Sequence, residues 1–148
     1  MIGRKRWVAI SLLPVLMGLW SARAVSQDSL SAELETAASD ARTAWLVHDA
    51  TALVATSDTV RLQLPGVGRA PAVHPGQAAM VLEEYFRAAT EITFEMSQVR
   101  FASDEHAYVQ FLRRYAVEGT EDERVETVFL GFRLLDGRWR LREVRVAS

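Results

Sequence analysis

Two hydrophobic periods divide the chain. From Ser29 to His48, apolar or small residues recur at Leu30, Leu34, Ala37, Ala41, Ala44, Trp45 and His48, the spacing of an amphipathic helix. Ser29 or Ser31 is placed to cap it, with Glu33 and Glu35 near the positive end of its dipole. Leu53 and Val54 then fit a short packed turn, and Val60, Leu62 and Leu64 alternate with Arg61 and Gln63 as in a half-buried strand. The prolines and glycines between Pro65 and Gly76 predict a loop. A second helix is predicted from Pro75, burying Ala78, Val81, Leu82, Tyr85, Phe86 and Ala89 and turning Glu83, Glu84 and Arg87 outward.

After Thr90 the period drops to two. Ile92, Phe94 and Met96 alternate, and the phase then slips to Val99 and Phe101, which predicts a bulge near Ser97 and Gln98. A strand follows from about His106 to Val117, and residues 119–123 form a polar turn. Val125 to Leu135 is apolar on both faces, as in a central strand covered on both sides. Asp136 and Gly137 suit a type I′ hairpin, and Trp139, Leu141, Val144 and Val146 complete the sheet with a second slip near Arg142 and Glu143. The fold class is therefore α+β, with a curved sheet wrapped around N-terminal helices and bent by bulges into a half-open cone whose mouth forms a ligand pocket.

The N-terminus changes what the overall composition means. Arg4, Lys5 and Arg6 precede an apolar run from Trp7 to Trp20, and Ala22-Arg23-Ala24 fits a cleavage site. These are the three parts of a secretory signal peptide, so residues 1–24 are expected to be an address and residues 25–148 a single exported domain, periplasmic or extracellular. The run is short for a bilayer helix of about 20 residues and is interrupted by Pro14 and Gly18, so no stable membrane span is expected after cleavage. An uncleaved anchor is the alternative. The formal charge of −2 hides a more acidic domain, because Arg4, Lys5, Arg6 and Arg23 all fall in the leader, which has no acid. Such a domain is not expected to bind nucleic acid. The absence of cysteine removes disulfides, thiolate chemistry and cysteine-based metal sites.

Three segments, WLVHDATALVATSDTVRLQLPG, PGQAAMVLEEYF and FLGFRLLDGRWRLREVRV, resemble the nuclear transport factor 2-like superfamily, which includes ketosteroid isomerase and the SnoaL-like polyketide cyclases. The resemblance runs from Leu34 to Val146 and implies a cystatin-like cone fold. It also implies a homodimer through the sheet face. A ketosteroid isomerase would carry a carboxylate base at the end of the first strand, where this chain has Gln63, Leu64 and Pro65. Its oxyanion tyrosine would stand where this chain has Ala41 or Arg42. Both halves of that chemistry are missing, and the fold hosts many other roles.

The remaining candidates are sparse. His48, His74 and His106 form no metal-ligand spacing, His48-Asp49 suits a helix end, and no phosphate loop, nucleophile elbow or zinc motif occurs. Neither a metal nor another cofactor is expected. On the His106–Val117 strand, either Arg113 with Tyr115 or Gln110 with Tyr108 faces the cone. Tyr85, Gln110, Arg113, Tyr115 and Trp139 are the candidate ligand-binding residues, with no catalytic residue assigned. The competing reading pairs Arg113 and Arg114 with Glu126 or Glu123 across strands as a solvated arrangement, and Arg138, Arg140 and Arg142 with acids on the outer face. The expected function is a small non-catalytic binding or assembly module with a pocket for a small apolar ligand. The alternative is a SnoaL-like isomerase, dehydratase or hydrolase using Arg113, Tyr115 or His106.

Overall fold

A computed structural model describes residues 21–69 and 71–148, so most of the expected address segment lies outside the described residues. Helix α1 runs over Ser21–Leu46, helix α2 over Ala50–Val54 and helix α3 over Pro75–Arg87. The strands are β1 (Arg61–Leu64), β2 (Gly68–Arg69), β3 (Ala89–Ser103), β4 (His106–Val117), β5 (Glu123–Leu135) and β6 (Arg138–Ala147). They form one sheet in the order β2-β1-β6-β5-β4-β3, with β1 parallel to β6 and every other pair antiparallel. The sheet is not closed into a barrel. β2 and β3 are its edges, and the helices lie on its concave side.

Helix α1 begins before Ser29, so neither Ser29 nor Ser31 is its cap. Its buried stripe of Leu34, Ala38, Ala41, Ala44 and Trp45 follows the predicted period. The C-terminus closes with a Schellman turn: the His48 amide donates to Trp45 O (3.0 Å) and the Asp49 amide to Ala44 O (2.9 Å). His48 holds the left-handed position, at φ 57°. Asp49 then caps α2, its Oδ1 accepting from the Ala52 amide at 2.8 Å.

Bulges set which side chains enter the cone. In the β3–β4 ladder, register shifts fall between Glu91 and Thr93, between Met96 and Gln98, and between Phe101 and Ser103. The second is the bulge predicted at Ser97 and Gln98. The first overturns the simple alternation of Ile92, Phe94 and Met96: Ile92 is turned out, while Glu91 and Phe94 both face inward. The slip on β6 lies at Arg142, and Asp136 and Gly137 both have positive φ, as a type I′ turn needs. β5 is central as predicted, but Val125 on its outer face is exposed, and Phe129 there is covered by the Arg145 guanidinium rather than by a helix.

Candidate functional site

The closed end of the cone is solid. Trp45 stacks on Phe94 (ring centroids 4.7 Å apart), Phe94 stacks on Phe111 (4.5 Å), and Phe86 meets Trp45 edge-on at 4.9 Å. What stays open is the mouth, a hollow of about 740 Å³ between α3, the turn after β1 and the ends of β4 and β5. Val67, Met80, Val81, Ala88 and Ala89 form its walls, and Tyr85, Arg113, Tyr115 and Glu126 form its floor. Val67 and Met80 are exposed apolar side chains at its rim.

The floor is one connected polar cluster. Arg113 on β4, with 1% of its side chain exposed, sits between two carboxylates. Its Nε donates to both oxygens of Glu91 (3.0 and 3.1 Å), and Nη2 also donates to Glu91 Oε1. Its Nη1 donates to Glu126 Oε2 at 3.0 Å and to the Tyr85 hydroxyl. Tyr85 in turn donates to Glu126 Oε2 (2.6 Å), and Tyr115 donates to Glu126 Oε1 (3.0 Å). The guanidinium also lies over the rings of Tyr115 (4.1 Å), Tyr85 (4.9 Å) and Trp45 (5.5 Å). On the far side His48 Nε2 lies 3.1 Å from Glu91 Oε1, with its ring stacked 4.8 Å from Phe86.

This arrangement raises the pKa of three of its members, Tyr85, Tyr115 and Arg113. Burial pushes both tyrosine hydroxyls up from their ordinary value, and their hydrogen bonds to Glu126 push the same way; Arg113 opposes both. For Arg113 burial works against the charge, but the bonds to Glu91 and the attraction of its neighbours outweigh it, so its pKa also rises. Tyr85, Tyr115 and Arg113 therefore stay protonated across the physiological range, and each is committed to a carboxylate. None is poised to exchange a proton near neutrality.

The candidate residues divide three ways. Tyr85, Arg113 and Tyr115 come together in the floor. Gln110 belongs to the opposite face of the sheet, in a separate hollow with Tyr108. Trp139 is buried beside α1, its Nε1 donating to Leu30 O at 3.0 Å and its ring meeting Phe101 edge-on. Of the two sets offered by β4, the cone takes Arg113 with Tyr115. Arg113 and Glu126 do pair across strands, but buried rather than solvated, whereas Arg114 and Glu123 form the expected exposed pair. Arg140 and Arg142 both pair with Asp58. His106 is exposed beside Ser103 at the β3–β4 turn, away from the cone, and His74 is exposed ahead of α3. Glu91 and the inward role of His48 are new; the bulge after Glu91 hides the first, and no local pattern marks the second.

At the isomerase-type positions, Ala41 and Leu64 are buried and apolar, Arg42 donates to Phe94 O (2.7 Å) and pairs with Glu95, and Gln63 lies on β1 opposite Arg145. Among the described residues no group of three His, Asp or Glu side chains is placed to hold a metal, and no helix is long and apolar enough to cross a membrane.

No protein-family model and no curated protein matches the chain. Solved structures do. A ketosteroid isomerase-like protein from Erwinia carotovora atroseptica superposes with a TM-score of 0.63 at 24% identity, covering 78% of this chain and 92% of that one. A DUF4783 family protein from Bacteroides uniformis gives 0.62 at 14% identity, covering 74% and 94%. An NTF-2 like protein of unknown function from Shewanella oneidensis gives 0.58 at 13% identity, covering 80% and 98%. The chain thus has the nuclear transport factor 2-like cone fold, and a fold by itself does not define an activity.

Proposed function

We propose that the chain is a small exported binding module whose cone mouth holds a ligand with an apolar body, and that it performs no chemistry on that ligand. The observation that carries this reading is the contrast between wall and floor. The wall is mostly apolar, with Glu84 and Arg124 as its charged members, and it is open at the rim, as a binding hollow requires. The floor is polar, but its donors are already spent on its own carboxylates. A general acid or base needs a group near its titration point and free to move a proton, and the upward shifts of Tyr85 and Tyr115 remove both tyrosines from that role. Export is supported by the basic, apolar and small-residue succession of residues 1–24.

The alternative, an isomerase, dehydratase or hydrolase, would rest on Glu126, the carboxylate that reaches the floor. Three donors hold Glu126, and that favours a fixed anchor over a mobile base. Native mass spectrometry of the protein purified from the exported compartment tests the reading. A bound apolar compound, lost when Ala88 is replaced by Trp to fill the hollow, is the expected result. Repeated absence of any ligand from the wild-type protein contradicts it.

A further inference from the structure

The convex face of the sheet carries an array of arginines on an otherwise acidic chain. The ladder register sets Arg61, Glu143, Gly131, Tyr108 and Arg100 side by side across β1, β6, β5, β4 and β3. The adjacent row is Gln63, Arg145, Phe129, Gln110 and Gln98. On the other side, Arg140, Arg133 and His106 form a third. Glu143 is the acid of these rows. Arg140 is engaged by Asp58 and Asp136, but Arg61, Arg100, Arg133 and Arg145 form no ion pair among the described residues.

Between the first two rows lies a hollow of about 470 Å³, with Arg100, Arg145, Gln98, Gln110, Tyr108 and Phe129 in its walls and Glu143 at one side. Two details shape it. The Arg145 Cζ lies 4.3 Å from the Phe129 ring centroid, so the guanidinium leans from β6 over β5, and its Nε is buried without a hydrogen-bond partner. Gly131 lets Tyr108 lie down on the sheet: a Cβ at Gly131 would stand 3.1 Å from Tyr108 Cε1. Phe129 on β5 and Arg100 on β3 are two strand spacings apart, about 10 Å. The two guanidinium groups thus stand at opposite ends of a floor made by a phenol ring and two amides.

We propose that this hollow is a second binding site, for a small ligand bearing at least two carboxylates. One carboxylate accepts from Arg145, the other from Arg100, each by the planar two-pronged geometry that guanidinium offers. The body of the ligand lies on Tyr108 and exchanges hydrogen bonds with Gln98 and Gln110. Glu143 repels anionic groups from the β6 side and so biases the ligand toward β3. The same chemistry is presented by open-chain polycarboxylates and by short acidic sugar chains.

Isothermal titration of the full exported protein with citrate and, separately, with digalacturonate tests the site, with maltose as the uncharged control. Saturable one-to-one binding of either acid is expected, weakened at high salt and at least tenfold weaker in Arg145→Gln and in Arg100→Gln. Arg100 is exposed, so its substitution leaves the fold intact. Binding of citrate alone assigns the open-chain source and binding of digalacturonate alone the sugar source. The proposal is overturned if neither acid binds at millimolar concentration, if maltose binds equally well, or if both variants bind as the wild type does. A second copy covering this face would leave both acids unbound and counts against it.

Discussion

Arg113 and Glu126 stand directly opposite each other on β4 and β5, joined by an Nη1 to Oε2 hydrogen bond of 3.0 Å in a nearly water-free setting. Because Glu91 grips the other edge of the same guanidinium, two buried carboxylates share one cation. Arg113→Met leaves both without their cation and is expected to cost about 3–5 kcal/mol. Urea unfolding measures it, and a loss below about 1 kcal/mol contradicts a shared buried pairing.

Tyr85 and Tyr115 tie stability to alkaline pH. Their folded pKa values lie above the ordinary 10.0, so the folded state holds its phenolic protons more tightly than the unfolded chain. The resulting stabilisation is fully present below pH 10.0 and is lost as pH rises through and beyond that value. Urea midpoints from pH 8 to 11 should fall at the upper end, and less steeply in Tyr85→Phe. Equal slopes in the two proteins would show that Tyr85 is not the group responsible.

His48 presents a contest between backbone and side chain. Glycine would relieve its left-handed φ, worth about 1–2 kcal/mol. It would also remove the stacking on Phe86 and the contact with Glu91, together worth about 2–4 kcal/mol. His48→Gly is therefore expected to lower stability by about 1 kcal/mol, read from the thermal or urea transition. A gain in stability would mean that the ring contacts contribute little.

Those two residues also mark how far the sequence could be read. Periodicity placed helices α1 and α3, because burial of one face imposes a period on each, whereas α2 was legible only as a short packed turn. The unbroken apolar run marked β5 as central, and the prolines and glycines marked the loop before α3. The bulge at Ser97 and Gln98 was visible as a phase slip between apolar residues. The one after Glu91 was not, because Ile92 continues an apparent alternation while the strand turns Ile92 out and Glu91 in. Of the candidate site, Tyr85, Arg113 and Tyr115 were legible as polar groups on inward-facing positions. Gln110 and Trp139 were not separable from them, since which strand face meets the helices is a tertiary property. His48 meets Glu91 across 43 residues of sequence, a separation no local pattern encodes.

Self-association is proposed at the far end of the convex face. Leu112 and Val125 are exposed there on neighbouring strands, 49% and 58% respectively, whereas a two-fold contact over the arginine rows would oppose like charges. Light scattering is expected to show a dimer for the wild type and a monomer for Leu112→Asp with Val125→Asp. A dimer that survives both substitutions places the contact elsewhere.

The mouth of the cone is proposed as a binding site for apolar compounds. The most direct measurement is a fluorescence titration with N-phenyl-1-naphthylamine on the wild type and on Ala88→Trp, both shown to be folded by circular dichroism. Saturable binding at one site in the wild type and its loss in Ala88→Trp is the predicted result. No saturable binding to the wild type, or equal binding to both proteins, would rule the mouth out as that site.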